Sequence, residues 1–348
     1  MPKEEKQFRV LIVRLGAMGD ILHALPAVTA LRQTHPEWSI GWAVEPQWRG
    51  LLCAGDCRMR GAEMPLVNRV HLVPAKQWAH TPLRGKTFGE IRKLRGELRD
   101  AKYDLCIDLQ GAVRSAVIAR WARAARLIGE DRPREPAARW FFSERVPTRG
   151  VHVIEQAIEV VNQAARELLP YVPACLPMEE RAEAAASEFA QPFVLLNPGA
   201  GWGAKRWPID RYAEVARTLN ASGYSIVVNA GPGEEGLVEE LRRSAGDFIN
   251  RIQPTLTELI AITRRASLVI AGDTGPLHLA SALGRPVVAI FGPTDPARNG
   301  PFGGSFRVLR HPESRRDHTR RAEPEAGLLT ITSAAVIEAA MELLGEQR

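Results

Sequence analysis

The chain has 348 residues, of which 45% are hydrophobic and 25% are charged. This balance is typical of globular proteins and excludes a disordered chain, a collagen and a coiled coil. No stretch approaches the roughly 20 apolar residues of a membrane-spanning helix. The first residues lack the apolar core of a secretory signal, and four cysteines are too few for a disulfide framework. We therefore expect a cytoplasmic protein of two domains.

The formal net charge of +6 is unevenly distributed along the chain. Residues 1–175 contain 27 Lys and Arg against 19 Asp and Glu, so the excess positive charge lies in the first half. Such asymmetry indicates an anionic partner, which could be nucleic acid, a membrane surface or a phosphorylated substrate. A solvated arginine-rich surface explains the same charge without any partner.

Short apolar runs alternate with helical patterns in the first half. The sequence predicts strands over 8–15, 39–44, 69–73 and 103–109, and helices over 27–33, 87–102 and 113–125. This order is typical of a parallel sheet with helices on both faces.

The same alternation continues after residues 169–184, where three prolines predict a linker. We predict strands over 193–197, 224–229, 268–271 and 286–291, and helices over 209–222, 234–244, 256–265, 277–283 and 333–344. The chain is thus predicted to be an α/β protein of two doubly wound domains, over 1–175 and 176–332, followed by a helical segment over 333–348. Two such domains would enclose a cleft, and their ligands would bind beyond the carboxyl ends of the strands.

The loop after the first strand contains Gly16 and Gly19, which let the backbone turn sharply and approach a ligand. Asp20 follows them. Because Pro26 is costly inside a helix, we expect the regular helix to begin near Pro26 and Asp20 to project toward the cleft. There it would accept a proton from a hydroxyl group. The alternative is that Asp20 only caps the helix.

The loop Asn197–Pro208 opens the second domain between a strand and a helix. Its three glycines expose backbone N–H groups, and Lys205 adds a mobile positive charge, so the loop suits a phosphate or diphosphate. It is not a P-loop, because the Gly-Lys-Ser/Thr end is missing. The alternative is a glycine-rich turn with a solvated lysine.

The loop Gly272–His278 also joins a strand to a helix. Pro276 suits the first helical position, so Thr274 or Gly275 would cap the helix. The free N–H groups of the first turn, which contains His278, would favour an anion. A capped helix without a ligand is the alternative.

The segment Gly231–Gly236 matches the dinucleotide-binding pattern G-x-G-x-x-G. We disfavour an oxidoreductase, because Pro232 has no N–H and the segment follows the second strand of its domain. Glu234 could still bind the ribose of another nucleotide. No D-x-D pattern occurs in the sequence, so Lys205 and helix N-termini would have to stabilise a leaving diphosphate without a metal.

Taken together, these motifs resemble glycosyltransferase family 9, the ADP-heptose:lipopolysaccharide heptosyltransferases. The similar segments are R-L-G-A-M-G-D (Arg14–Asp20), N-P-G-A-G-W-G-A-K-R-W-P (Asn197–Pro208), G-D-T-G-P-L-H-L-A-S-A-L-G-R-P (Gly272–Pro286) and F-G-P-T-D-P (Phe291–Pro296). Three further segments are similar to the type I members: D-L-Q-G-A-V-R-S-A (Asp108–Ala116), R-E-P (Arg134–Pro136) and H-x-x-E-Q (His152–Gln156). The chain departs from the type I pattern at Arg114, where lysine is usual, and at Ala200 and Gly201, where some members have two threonines.

The resemblance implies a GT-B fold, with two Rossmann-like domains facing a central cleft and a final helix packing back toward the N-terminal domain. It implies inverting transfer of L-glycero-D-manno-heptose from ADP-heptose to a Kdo residue of the lipopolysaccharide inner core, without a metal or cofactor. The acceptor would be a Kdo-lipid A-type glycolipid. The enzyme would lie at the cytoplasmic face of the inner membrane, and nucleic acid would not be a partner.

The resemblance and the loops together predict the site residues. Asp20 is expected to be the catalytic base. The predicted donor-binding residues are Ala200, Gly201, Lys205, Glu234, Asp273, Thr274, Gly275 and His278. The predicted acceptor-binding residues are Gly19, Lys76, Arg84, Lys86, Arg114, Arg134 and His152.

Four alternatives stay open at this point. One is heptosyltransferase II or another family 9 transferase with a different acceptor or nucleotide sugar. The others are a sugar-nucleotide epimerase of the same architecture, the oxidoreductase suggested by Gly231–Gly236, and a nucleotide-binding module without catalysis.

Overall fold

A computed structural model describes residues 7–81, 84–314 and 323–346 of the chain. The chain divides into two compact units, Met1–Met178 and Glu179–Arg348. The sequence placed this boundary at 175. Each unit is an α/β fold built on one parallel sheet.

The sheet of the N-terminal unit has the strand order β3-β2-β1-β4-β5-β6, and the pairings are parallel. Its strands are β1 (Arg9–Val13), β2 (Ser39–Val44), β3 (Arg69–Leu72), β4 (Leu105–Asp108), β5 (Arg126–Glu130) and β6 (Glu144–Val146). Its helices are α1 (Met18–Thr34), α2 (Ala75–His80), α3 (Gly85–Asp100), α4 (Val113–Trp121) and α5 (Val153–Ala165). The strand order reverses direction between β1 and β4, which creates a topological switch point.

Helix α1 begins earlier than the sequence predicted. It starts at Met18 and contains Pro26 in its interior. Proline there removes one backbone hydrogen bond, but nearly every side chain from Ile21 to Arg32 is buried. The packing of α1, chiefly against α5, therefore outweighs the local cost of Pro26.

The sheet of the C-terminal unit has the order β12-β11-β10-β7-β8-β9 and is also parallel. Its strands are β7 (Phe193–Asn197), β8 (Ser225–Asn229), β9 (Ile249–Ile252), β10 (Leu268–Gly272), β11 (Val287–Ile290) and β12 (Phe306–Leu309). Its helices are α6 (Glu180–Ala186), α7 (Ile209–Ala221), α8 (Glu235–Ala245), α9 (Leu256–Arg265), α10 (Gly275–Ala282), α11 (Pro296–Asn299) and α12 (Ser333–Gly345). Counted from the start of its own unit, this sheet repeats the strand order of the first, with the switch point between β7 and β10.

The final helix, α12, packs on α7, β11 and β12 within the C-terminal unit. Its Val336 and Leu343 are fully buried. The segment leading to it is tied down by Ile331, whose carbonyl accepts hydrogen bonds from Trp207 Nε1 at 2.9 Å and Arg211 Nη1 at 2.6 Å. Packing of this helix toward the N-terminal domain stays a prediction.

Two further features concern the whole chain. The structure pairs Cys53 and Cys57 as a disulfide, although the sequence indicated no disulfide framework. Within the described ranges, no helix combines the length and the apolar character that crossing a bilayer requires.

Candidate functional site

Both switch points carry loops that the sequence singled out. In the N-terminal unit, the loop Arg14–Ala17 follows β1 and residues 109–112 follow the neighbouring strand β4. In the C-terminal unit, the loop Pro198–Pro208 follows β7, and Asp273 and Thr274 follow the neighbouring strand β10. Ligands of doubly wound sheets bind at such points, so the fold places the predicted motifs where small molecules are expected.

Asp20 lies in the first turn of α1, where Ala17 is the N-cap. One carboxylate oxygen accepts a hydrogen bond from Ala17 N at 3.0 Å, and the other pairs with Arg14 Nη2 at 2.9 Å. The Asp20 side chain is 37% exposed, whereas that of Arg14 is 14% exposed. Asp20 therefore caps the helix and also keeps an open side toward solvent, so the two interpretations of this residue are not exclusive.

Arg14 is fixed by three oxygen atoms. Besides the Asp20 carboxylate, its guanidinium donates to the backbone oxygens of Asp20, at 3.2 Å, and of Leu109. The indole of Trp42 donates to the Arg14 backbone oxygen at 3.0 Å. Arg14 thus links the loop after β1 to the loop after β4 and restricts the orientation of the Asp20 carboxylate.

Asp108 anchors the loop after β4 through hydrogen bonds. Its buried carboxylate accepts hydrogen bonds from Gln110 N at 2.8 Å, Gly111 N at 2.9 Å and Ser115 Oγ at 2.8 Å. Burial raises the pKa of Asp108 to about 6, against the opposing effect of these donors and of the Arg14 charge. Gln110 in turn accepts from Leu15 N at 2.7 Å. This network of hydrogen bonds fixes the loop after β4 against the loop after β1.

The loop after β2 lies against the loop that leads from β1 to Asp20. Glu45 N donates to Leu15 O at 3.0 Å, and Lys76 Nζ lies 3.7 Å from the Glu45 carboxylate. An added Cβ at Gly16 would come within 2.9 Å of Trp48 Nε1, so only glycine fits there without displacing the indole. Of the predicted acceptor residues, Gly19 and Lys76 therefore lie in or beside the Asp20 region.

The other predicted acceptor residues follow more distant strands or lie on a helix. Arg114 and Arg134 are exposed, and their loops touch, because Glu135 N donates to Gly111 O at 2.8 Å. His152 is buried, caps α5 and packs edge-on against His23 with 5.6 Å between ring centres. Arg84 is the N-cap of α3, Lys86 lies in its first turn, and both side chains are exposed.

In the C-terminal unit, Asp273 is the centre of a buried cluster. Its carboxylate pairs with Lys205 Nζ, accepts from Thr294 Oγ1 at 2.7 Å and lies 3.1 Å from His278 Nε2. Lys205 Nζ also sits 4.3 Å from the centre of the Trp202 ring, which is a cation–π contact. The structure therefore brings together three predicted donor residues: Lys205, Asp273 and His278.

The Asp273 carboxylate is held ionised in this cluster. Burial alone would raise its pKa, but the hydrogen bond and charge of His278 and the charge of Lys205 outweigh burial and keep the pKa below its usual range. Since its oxygens are engaged, Asp273 orients Lys205 and His278 and is not itself free to bind a ligand.

Helix α10 starts beside this cluster, with Thr274 as N-cap and Gly275 as its first residue. Pro276 is the second helical residue, one position later than the sequence predicted. The first N–H groups of a helix have no partner within the helix and carry partial positive charge. The N-terminus of α10 and Lys205 therefore suit an anion such as a diphosphate.

Glu234 lies against the loop after β7. Its carboxylate accepts from Gly231 N at 2.9 Å, and a Cβ at Gly199 would overlap it. Ala200 is buried and Gly201 is exposed in the same loop. Nearby, the buried Asn197 side chain accepts from Asn229 Nδ2 at 2.9 Å, while its own Nδ2 has no partner in the part of the chain that the structure describes. Glu234 is thus positioned at the same strand ends as Lys205.

The geometry shows contributors that the prediction of site residues missed. Arg14, Asp108 and Thr294 each lie inside a quoted motif, so the signal was present in the sequence. Their roles depend on contacts with residues far along the chain, which the motifs do not reveal. Among the residues that the structure describes, no cluster of three His, Cys, Asp or Glu side chains could hold a metal ion.

Comparison with known proteins gives consistent matches. The profile of glycosyltransferase family 9 (heptosyltransferase) matches residues 91–328. Lipopolysaccharide heptosyltransferase 1 of Pseudomonas aeruginosa is 30% identical over 309 residues, covering 85% of this chain and 82% of the relative. The Escherichia coli heptosyltransferase WaaC with ADP is 26% identical, with a TM-score of 0.80 over 97% of this chain and 100% of that one.

The matches extend beyond one type of enzyme. Lipopolysaccharide heptosyltransferase 2 of Salmonella typhimurium is 26% identical over 361 residues, covering 97% of this chain and 99% of the relative. The chain is therefore similar to heptosyltransferases of both type 1 and type 2.

Proposed function

Since the chain belongs to glycosyltransferase family 9 and is a glycosyltransferase of GT-B fold, we propose that it transfers L-glycero-D-manno-heptose from ADP-heptose to a Kdo residue of the lipopolysaccharide inner core. The observation that carries the proposal is the cluster of Lys205, Asp273 and the α10 N-terminus, which suits a leaving diphosphate. Asp20, with its open carboxylate, supplies a base.

The donor half of the proposal rests on charge. As the glycosidic bond breaks, negative charge accumulates on the diphosphate of ADP. Lys205 and the N–H groups at the start of α10 are oriented in advance to stabilise that charge, which is the most effective form of electrostatic catalysis. His278 and Thr294 help by holding Asp273, and Asp273 holds Lys205. Glu234 is placed to accept hydrogen bonds from the ribose.

WaaC, the similar structure described above, has also been solved with ADP-2-deoxy-2-fluoro heptose. This supports an ADP-linked heptose as the donor of the present chain. Ala200, Gly201 and Gly275 would then contribute mainly backbone N–H groups to the diphosphate pocket.

The acceptor half rests on Asp20. Its carboxylate would remove the proton of the acceptor hydroxyl while that oxygen forms a bond to the anomeric carbon, opposite the breaking bond to ADP. The product would have inverted configuration, and the diphosphate would leave with the bonding electrons. Arg14 would hold the carboxylate beside the hydroxyl, because it fixes Oδ1 at 2.9 Å, while Oδ2 accepts one hydrogen bond from Ala17 N and keeps a second lone pair for the proton.

The basic residues of the N-terminal unit are proposed to recognise the acceptor. Kdo carries a carboxylate and the lipid A part carries phosphates, so exposed Lys76, Arg84, Lys86, Arg114 and Arg134 suit such a glycolipid. With a lipid-borne acceptor, the enzyme would act at the cytoplasmic face of the inner membrane, as the resemblance to the family implies.

The test is a transfer assay followed by mass spectrometry. The enzyme is incubated with ADP-heptose and Kdo-lipid A, with and without EDTA. We expect addition of one heptose and no effect of EDTA. The second acceptor, tested for comparison, is the same glycolipid already carrying the first heptose. Transfer to the second acceptor alone would replace this proposal by a type 2 activity, and hydrolysis or isomerisation of the donor without an acceptor would refute transfer.

A further inference from the structure

Helix α3 carries arginine side chains along one face, of which Arg84, Arg92 and Arg95 are exposed and Arg99 is half-buried. Arg84, which caps the helix, is followed by Phe88, Arg92, Arg95 and Arg99 at spacings of four, four, three and four residues. At 3.6 residues per turn, these spacings place the five side chains on one side of the helix. We call these five residues the arginine stripe. Thr87, Leu94 and Leu98, on another side, are buried and attach the helix to the sheet.

Acidic partners compensate other arginines of the chain. Arg126 pairs with Glu144, and Arg307 pairs with Glu342 and Glu346. Within the part of the chain that the structure describes, no carboxylate forms an ion pair with an arginine of the stripe. The stripe is therefore an uncompensated row of positive charge.

Of the acids of α3, Asp100 is exposed and forms no ion pair with the stripe among the described residues, and the two glutamates have partners elsewhere. Glu90 accepts a hydrogen bond from Trp78 Nε1 at 2.9 Å, and Glu97 lies 3.9 Å from His71 Nδ1. Both glutamates thus face α2 and β3. The spacing of glutamate and arginine along this helix separates the two charges onto different sides.

The stripe also crowds cations against one another. The pKa of Arg99 is lowered by desolvation and then by the nearby charges of Arg123 and Arg95. The buried Nε atom of Arg99 has no hydrogen-bond partner among the described residues. The cations on this side of the unit thus lie close enough to repel one another, and an anionic surface outside the chain would relieve that repulsion.

One apolar side chain interrupts the row. Phe88 is 58% exposed, and it lies between Arg84 and Arg92 along the stripe. A soluble phosphate compound gains nothing from a phenyl ring, whereas a bilayer interface takes up both an aromatic ring and arginine side chains. This combination distinguishes a lipid surface from a free phosphate ligand.

The start of α3 is connected to the Asp20 region. Trp78 of α2 bonds to Glu90 of α3, Lys76 of α2 pairs with Glu45, and Glu45 bonds to the loop that leads to Asp20. A bilayer lying along α3 would thus meet the N-terminal unit beside its candidate acceptor residues.

We propose that the arginine stripe, with Phe88, docks this enzyme on a bilayer of anionic phospholipids. The inference rests on the proposed function, because a glycolipid acceptor is what makes residence on a bilayer useful. Docking is nevertheless measured separately from transfer. Each basic residue near an anionic surface contributes about fivefold to membrane partitioning.

The experiment measures sedimentation of the full chain with vesicles of phosphatidylglycerol and phosphatidylethanolamine, or of phosphatidylethanolamine and phosphatidylcholine alone. The test variant is Arg92→Glu/Arg95→Glu. The control variant is Arg243→Glu/Arg251→Glu, which changes the net charge equally at exposed positions of the C-terminal unit. We expect the test variant to lose at least tenfold in partitioning to the anionic vesicles, and the control less than twofold. Phe88→Ser should lose a few-fold.

Four results decide the matter. Transfer to a water-soluble, deacylated acceptor should stay within twofold in the test variant, which shows that it is folded and that loss of docking is separate from loss of catalysis. Equal partitioning of test and control variants would overturn the proposal. It would also be overturned if the unmodified chain bound RNA but neither kind of vesicle, with RNA binding lost in the test variant. If transfer fails in every variant while docking behaves as expected, the proposed function fails and the docking surface stands.

Discussion

The pair formed by Lys205 and Asp273 gives the sharpest prediction about the energetics of the donor cluster. The two side chains are 10% and 7% exposed. Removing one member of a buried pair leaves an uncompensated charge and costs about 3–5 kcal/mol, whereas removing both costs much less than the sum. We therefore expect Asp273→Asn to cost about 3–5 kcal/mol and Lys205→Met about 3 kcal/mol. The double variant should cost at least about 2 kcal/mol less than the sum of the two.

The magnitude for Lys205→Met is at the low end for a structural reason. Without Lys205, the Asp273 carboxylate keeps its contacts with His278 Nε2 at 3.1 Å and Thr294 Oγ1 at 2.7 Å. Without the Asp273 charge, Lys205 keeps the Trp202 ring and a hydrogen bond to the Asp273 backbone oxygen at 3.3 Å. The lysine is therefore the less well compensated member after its partner is neutralised.

The assay is urea unfolding at pH 7, followed by tryptophan fluorescence and circular dichroism so that separate transitions of the two units are detected. The matched control is the exposed pair Arg242 and Asp247, whose side chains are 45% and 94% exposed. Its coupling should be below about 1 kcal/mol. Additive effects of Lys205→Met and Asp273→Asn, within about 0.5 kcal/mol, would refute the reasoning.

The pH dependence provides a second check on the same pair. The pKa of Asp273 is lower in the folded chain than its ordinary value of 3.8. Its contribution to stability is therefore fully present above the unfolded pKa and is lost as the pH falls through the folded value. The stability difference between the unmodified chain and Asp273→Asn should shrink as the pH falls below about 4.

Three other predictions concern the N-terminal unit. Asp20→Asn should reduce kcat for heptose transfer by about 10²–10⁴ with little change in donor binding; near-normal turnover would remove Asp20 from the role of base. Arg14→Met should lower kcat at least about tenfold by releasing the Asp20 carboxylate, with partial recovery in Arg14→Lys, and an effect confined to KM would contradict a positioning role. Because burial raises the pKa of Asp108 to about 6, its stabilising effect is fully present below its ordinary pKa and is lost as the pH rises through about 6. The stability advantage of the unmodified chain over Asp108→Asn should therefore fall by about 3 kcal/mol between pH 4 and 7 in urea titrations, and a constant difference would be inconsistent with a raised pKa.

The alternation of strands and helices was sufficient to predict the class of both units, because buried parallel strands such as β1 and β7 read as continuous apolar runs. The edge strands β6, β9 and β12 were not predicted. They are only three or four residues long and carry charged residues such as Glu144 and Arg251, so composition does not distinguish them from loops. Helix α5 was also missed, although its buried residues recur at helical spacing, which was an available signal.

The site was predictable to the level of loops but not of contacts. The sequence indicated that Asp20, Lys205 and the residues after β10 follow strands, and a doubly wound sheet brings such strand ends together. It could not reveal that Asp273 orients Lys205 or that Arg14 orients Asp20. Those relations depend on side-chain geometry across neighbouring strands, which no local pattern records.

The sequence separation of the contacts at each switch point has a consequence for how the chain acquires activity. Lys205 and Asp273 are 68 residues apart along the chain, and Arg14 and Leu109 are 95 apart. Contacts of such separation form only after long loops have closed, so they come late in folding. A partly folded chain that has secondary structure but unpaired central strands would have neither the diphosphate cluster nor the oriented carboxylate. The ability to bind ligands therefore indicates that each sheet is complete. Ligands would bind fully folded molecules in preference to partly folded ones.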